Sequence, residues 1–192
     1  MTGKIIVLSG PSGSGKTTLH KALLETEAFK GQLVKTISVT TRPPRPGERQ
    51  GKDYFFLTQK IFARRIAKGY FLEWEKVFDH YYGTPKRQVE NLLRKGKHVL
   101  LCIDVKGAAD ISQQFPQAIK IFIKPPSMKE LKKRLQKRAS ETHESLGRRL
   151  AVAKEELKKA KEYDYIIHNS SLERAKKDLE NLVARLINSR SS

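Results

Sequence analysis

Short apolar runs alternate with amphipathic stretches along most of this chain. Lys4–Leu8, His98–Ile103, Ile119–Ile123 and Tyr165–Ile167 are brief apolar runs, which predicts buried strands. Val34–Thr41 is β-branched and alternating and predicts another strand. Gly15–Glu25 reads as a helix. Ser127 with Glu130 forms a capping box ahead of Met128, Leu131 and Leu135. Ser170 with Glu173 repeats that signature ahead of Leu172, Ala175, Leu179, Leu182, Val183 and Leu186, whose spacing sets one apolar stripe on the last helix. Strands alternating with helices predict an α/β fold with a parallel sheet.

Two stretches break the pattern. Arg42–Gly51 carries three prolines and two glycines, so it is a loop, and it opens an insertion reaching to about Arg94. Arg138–Arg149 is charged, with little apolar content, and reads as a solvated flap between helical segments. Either stretch alone is equally well an ordinary surface loop. The chain has 192 residues, enough for one domain. No run approaches the roughly 18 apolar residues that span a bilayer, and Met1–Ser9 lacks the pattern of a secretory signal. A cytoplasmic location is the expectation. The single cysteine, Cys102, lies in an apolar run and reads as a small core residue.

Formal net charge is +19, split evenly along the chain: 20 basic and 10 acidic residues up to residue 119, and 19 and 10 beyond it. There is no basic tail. Such a field suits nucleic acid and polyanionic small substrates alike, and decides for neither.

One motif is specific. Gly10-Pro11-Ser12-Gly13-Ser14-Gly15-Lys16-Thr17 fits G-x-x-x-x-G-K-S/T, after a predicted strand and at the start of a predicted helix. Glycines let the backbone wrap phosphate oxygens with successive N–H groups pointing inward, and the helix N-terminus adds its positive end. Lys16 reaches the β- and γ-phosphates in such a loop, and the Thr17 hydroxyl is a candidate Mg²⁺ ligand. Asp104, after the apolar run Val99–Ile103, is a second metal candidate or an ordinary strand-end acid.

Further motifs bring a resemblance to the guanylate kinases over nearly the whole chain. They are Ser38–Glu48 (SVTTRPPRPGE), Gly51–Phe56 (GKDYFF), Phe71–Trp74 (FLEW), Tyr81–Thr84 (YYGT) and Ile103–Ala108 (IDVKGA). The resemblance implies a P-loop NTPase three-layer fold with a central parallel sheet. Its single domain would have a core of 1–33, 95–133 and 150–192, an inserted GMP-binding region at about 34–94, and a mobile lid at about 134–149. It implies γ-phosphoryl transfer from ATP, with Mg²⁺, to GMP and to dGMP. Gly10 to Thr18 would bind ATP, with Asn169 near the adenine. Ser38, Arg42, Arg45, Tyr54 and Tyr82 would hold the GMP phosphate; Glu73 and Thr84 would hold the base, and Gly83 would also belong to the GMP site. Lys16, Arg42, Arg134, Arg138 and Arg149 would stabilise the transferring phosphoryl group. A carboxylate suits guanine, whose N1–H and 2-amino group are adjacent donors, and rejects adenine, which leaves it unpaired.

The chain departs from the family pattern in four places. Cys102 stands where an acid is common, Lys106 for a more usual Gln, Ala139 for a Gly, and Ser170–Ser171 where acids are frequent. Three other readings compete: a non-catalytic interaction module of the same fold, a nucleotide kinase of other base specificity, and a nucleic-acid binder. The retained Lys16, Thr17, Arg134, Arg138 and Arg149 oppose the first, and Glu73 with Thr84 opposes the second. Neither a membrane nor nucleic acid is required as a partner. The sequence leaves monomer and homodimer equally open.

Overall fold

The computed structural model describes residues 3–136 and 143–188. Five strands form a parallel sheet. In chain order they are β1 (Ile5–Ser9), β2 (Leu33–Lys35), β7 (His98–Cys102), β8 (Ile119–Lys124) and β9 (Tyr165–His168), and across the sheet they run β2-β7-β1-β8-β9. All five residues of β1 are buried, as expected for a central parallel strand covered on both faces.

Alternation along β1 feeds two cores. Ile6 and Leu8 pack with Leu19 and Leu23 of α1 (Lys16–Glu25) and with Leu179, Leu182 and Val183 of α7 (Leu172–Asn188). Ile5 and Val7 pack on the other face with Val89 of α3 (Lys86–Arg94) and with Ala108 and Ile111 of α4 (Val105–Gln114). Helices on both faces of a parallel sheet give three layers, the predicted fold class.

A second sheet of four strands stands apart: β3 (Val39–Thr40), β4 (Phe55–Phe56), β5 (Phe71–Val77) and β6 (His80–Pro85), ordered β4-β3-β6-β5. It has its own core under α2 (Gln59–Ala67), where the Phe62 ring stacks on Phe71 at 4.4 Å and on Tyr81 at 5.4 Å. The predicted strand Val34–Thr41 is two strands in two sheets. Val34 pairs with Val99 in the first, and Val39 pairs with Gly83 in the second. The alternation runs on unbroken while the chain changes sheets between residues 36 and 38.

Two further helices, α5 (Met128–Gln136) and α6 (His143–Lys158), pack through Leu131, Leu135, Leu146 and Ala153. Ser127 caps the first, its hydroxyl accepting from the Glu130 amide at 3.1 Å. At α7 the cap shifts by one residue: Ser171, not Ser170, accepts from the Arg174 amide at 3.5 Å. Leu172 is accordingly exposed rather than part of the apolar stripe.

Candidate active site

The loop between β1 and α1 is built for close approach. Gly10 has φ +135°, and a Cβ there would lie 2.5 Å from the Ile123 carbonyl oxygen. Gly15 has φ +95°, and a Cβ there would lie 2.2 Å from Asn169 Nδ2. That amide donates to the Ser14 carbonyl at 2.7 Å, so buried Asn169 fixes the loop from the end of β9. Lys16 Nζ donates to the carbonyls of Gly10 at 2.6 Å and Pro11 at 3.0 Å, which folds the amine over the loop. No side chain caps α1, and its first turn carries no acid. Its leading N–H groups therefore favour an anion. Thr17 and Thr18 are exposed at that same end.

Gly13, Gly15, Thr18, Arg134, Asn169 and Leu172 line a cleft of about 290 Å³ beside the loop. Arg134 donates to the Asn169 carbonyl at 3.3 Å and to Glu130 at 3.4 Å. A larger open groove of about 490 Å³, between β9 and α7 near Tyr165 and Arg185, lies away from these residues.

The second sheet carries the other constellation. Arg42 NH2 donates to both Glu48 carboxylate oxygens, at 2.9 and 2.8 Å. Its guanidinium carbon lies 5.7 Å from the Tyr54 ring centre, and the Tyr82 hydroxyl lies beside it. Tyr54 and Tyr82 meet edge to face at 6.2 Å. Burial pushes the Tyr54 hydroxyl up to about 12, so it stays a donor. Glu48 also accepts from the Arg45 amide at 2.8 Å, while the Arg45 side chain is exposed. Glu48 is thus the organiser of this loop, and sequence reasoning gave it no role. The Ser38 carbonyl accepts from Phe55 N at 2.8 Å.

Glu73 and Thr84 face each other across the β5–β6 ladder. The Thr84 hydroxyl donates to Glu73 Oε1 at 2.5 Å, and both residues are buried. Burial lifts the Glu73 carboxyl to about 8; the Thr84 bond opposes this, and Asp104, Asp110 and Glu75 add to it. Beside Thr84, Gly83 packs so tightly on Phe71 that a Cβ would lie 2.7 Å from the ring. The first turn of α4 closes on the acid from behind: a Cβ on Gly107 would lie 2.7 Å from Glu73 Oε2. Asp104 caps that helix, accepting from the Gly107 amide at 2.8 Å.

Cys102 differs from the expected core residue. It is half-buried at the end of β7, where burial raises its thiol and Lys16 and the Thr17 hydroxyl pull the other way. Since β7 pairs with β1 up to Leu8↔Cys102, its end lies beside the phosphate loop. Thr17 and Asp104 follow neighbouring strand ends, and a hydroxyl with a carboxylate is a hard-oxygen set suited to Mg²⁺. Among the described residues no group of three or more His, Cys, Asp or Glu forms a metal cluster. Arg149 on α6 lies with its guanidinium carbon 5.1 Å from the Phe78 ring centre. Arg138 and Ala139 lie outside the described residues. Among the described residues no helix is long and apolar enough to cross a membrane.

Comparison with known proteins agrees with this geometry. The guanylate kinase family model matches residues 2–186. The guanylate kinase of Caldanaerobacter subterraneus subsp. tengcongensis is 48% identical over 173 residues, covering 90% of this chain and 82% of that protein. That of Rubrobacter xylanophilus is 42% identical over 185 residues, covering 96% and 95%. The crystal structure of guanylate kinase from Anaplasma phagocytophilum superposes with a TM-score of 0.81 at 34% identity, covering 98% of this chain and 88% of that one. A phosphate loop on one sheet, a buried Glu–Thr pair on the other and these full-length similarities have one explanation: the chain belongs to the guanylate kinase family.

Proposed function

We propose that this site transfers the γ-phosphoryl of ATP to GMP, and to dGMP, and that the residues above divide the work by sheet. The observation that carries the reading is the buried Glu73–Thr84 pair. A carboxylate with one oxygen held by a hydroxyl is poised to accept the two adjacent N–H donors of guanine. Arg42, with Tyr54 and Tyr82 at its side, would take the GMP phosphate. Arginine binds it through a planar fork, once the phosphate displaces Glu48. Arg45 and Ser38 would join as the loop closes on the ligand.

On the other sheet, residues 10–18 would cradle the ATP phosphates, with Lys16 leaving its two carbonyl partners for the phosphate oxygens. Arg134 and Asn169 line the cleft where the adenosine would lie. The acceptor is already an anionic phosphate oxygen, so no general base is needed. Positioning and charge stabilisation carry the reaction. Lys16, Arg134, Arg138 and Arg149 would stabilise charge on the equatorial oxygens. Thr17 and Asp104 would hold Mg²⁺, which when bound with ATP neutralises phosphate charge. Replacing Lys16 by Ala tests the division of labour: turnover should nearly vanish, and near-normal turnover would refute the role of the loop.

A further inference from the structure

Phe78 sits at the tip of the β5–β6 hairpin. Val77 pairs with His80, so Phe78 and Asp79 are the two-residue turn. Two-residue hairpin turns place glycine or asparagine where φ is positive. Here a phenylalanine occupies φ 55°, and among the described residues it is the one non-glycine residue with positive φ. A bulky side chain in that region is strained, and such strain points toward function. The residue is also 40% exposed, so core packing does not account for a phenylalanine there. What it meets is the Arg149 guanidinium of α6, 5.1 Å from the ring centre.

We propose that Phe78 is a positioning residue for Arg149: its ring fixes the plane of the guanidinium and so orients it toward the transferring phosphates. This rests on the reading of Arg149 given above. Stacking uses the face of a guanidinium and takes none of its in-plane N–H donors, which are the groups a phosphate engages. The ring is carried by the same ladder that holds Glu73 against Thr84. Phe78 follows the end of β5, five residues and at most about 17 Å from Glu73. The ladder thereby ties the base-reading pair to the orientation of an arginine on another element.

The test is steady-state kinetics on the full chain, with thermal unfolding measured in parallel. Phe78→Ala should lower kcat about two- to fivefold, as expected for a half-exposed cation–π contact, with KM for ATP and GMP little changed. Phe78→Tyr should retain kcat, and Phe78→Leu, similar in bulk but without a π face, should behave like Ala. Phe78→Gly should relieve the backbone and raise the unfolding temperature while kcat falls as for Ala, which separates positioning from fold stability. In an Arg149→Ala background, Phe78→Ala should cost nothing more. Unchanged or raised kcat for Phe78→Ala, Leu rescuing as well as Tyr, or an additive loss in the double variant would each overturn the proposal. A silent Arg149→Ala would overturn the reading of Arg149 itself. A crippled Arg149→Ala beside a silent Phe78→Ala would overturn the proposal alone.

Discussion

Thr84 donates a 2.5 Å hydrogen bond to Glu73 across the β5–β6 ladder, inside a pocket whose burial lifts the acid to about 8 and so favours its protonated form. Guanine recognition as proposed needs the carboxylate. Binding must therefore expel a proton, and two consequences follow from the sign of the shift.

Below about 8, the position to which burial lifts Glu73, GMP affinity should fall by up to tenfold per pH unit, and binding near neutrality should release close to one proton. Calorimetry in two buffers of different ionisation enthalpy measures that release directly. No proton release would mean that Glu73 is already ionised or does not touch the base. The same shift acts on stability. The folded chain keeps a proton that the unfolded chain, with its ordinary value of 4.5, has released. This group's contribution to stability is therefore lost as pH rises from 4.5 through about 8. Glu73→Gln removes the titration, so it should stabilise the empty protein at pH 8 and weaken GMP binding while ATP binding persists.

Gly107 sets how closely α4 approaches Glu73. Alanine gains up to about 1 kcal/mol over glycine in a helix interior, and less in a first turn such as this one. Here its Cβ would overlap Glu73 Oε2, at 2.7 Å, and overpacking costs about 1–3 kcal/mol. Gly107→Ala should raise KM for GMP about tenfold, equivalent to 1.4 kcal/mol, and leave KM for ATP nearly unchanged. Equal effects on both substrates would show that α4 does not shape the base pocket separately.

Much of this arrangement is legible in the chain, and the exceptions have physical reasons. Gly10, Gly15, Lys16 and Thr17 announce themselves because a phosphate loop constrains residue type at fixed spacing. Glu73 and Thr84, eleven residues apart, become a pair only when the hairpin register is known, so family resemblance rather than periodicity finds them. Val34–Thr41 looks continuous because alternation carries no mark of the change of sheet. Cys102 reads as core because its neighbours are apolar, but its place at the strand end sets it beside Lys16 and Thr17. Glu48 is invisible as an organiser because its partners, Arg42 and the Arg45 amide, come together only through the turn between them.

Asn169 gives a prediction on the ATP side. Its amide is the buried partner of the Ser14 carbonyl. Asn169→Ala leaves that carbonyl without the bond, at a cost of about 1–3 kcal/mol, and loosens the loop from below. Chemical denaturation should show the loss, and ATP affinity should drop with it. A stable variant with normal ATP binding would mean the loop holds its shape without this clamp.

The central claim is that a phosphate loop and a guanine-reading pair act in one reaction. Formation of ADP from Mg·ATP with GMP, dGMP, AMP, CMP and UMP as separate acceptors tests it most directly. Turnover confined to GMP and dGMP is the predicted result. Turnover with AMP or a pyrimidine nucleotide would contradict the role given to Glu73 and Thr84, and ATP binding without transfer to any acceptor would contradict the reaction itself.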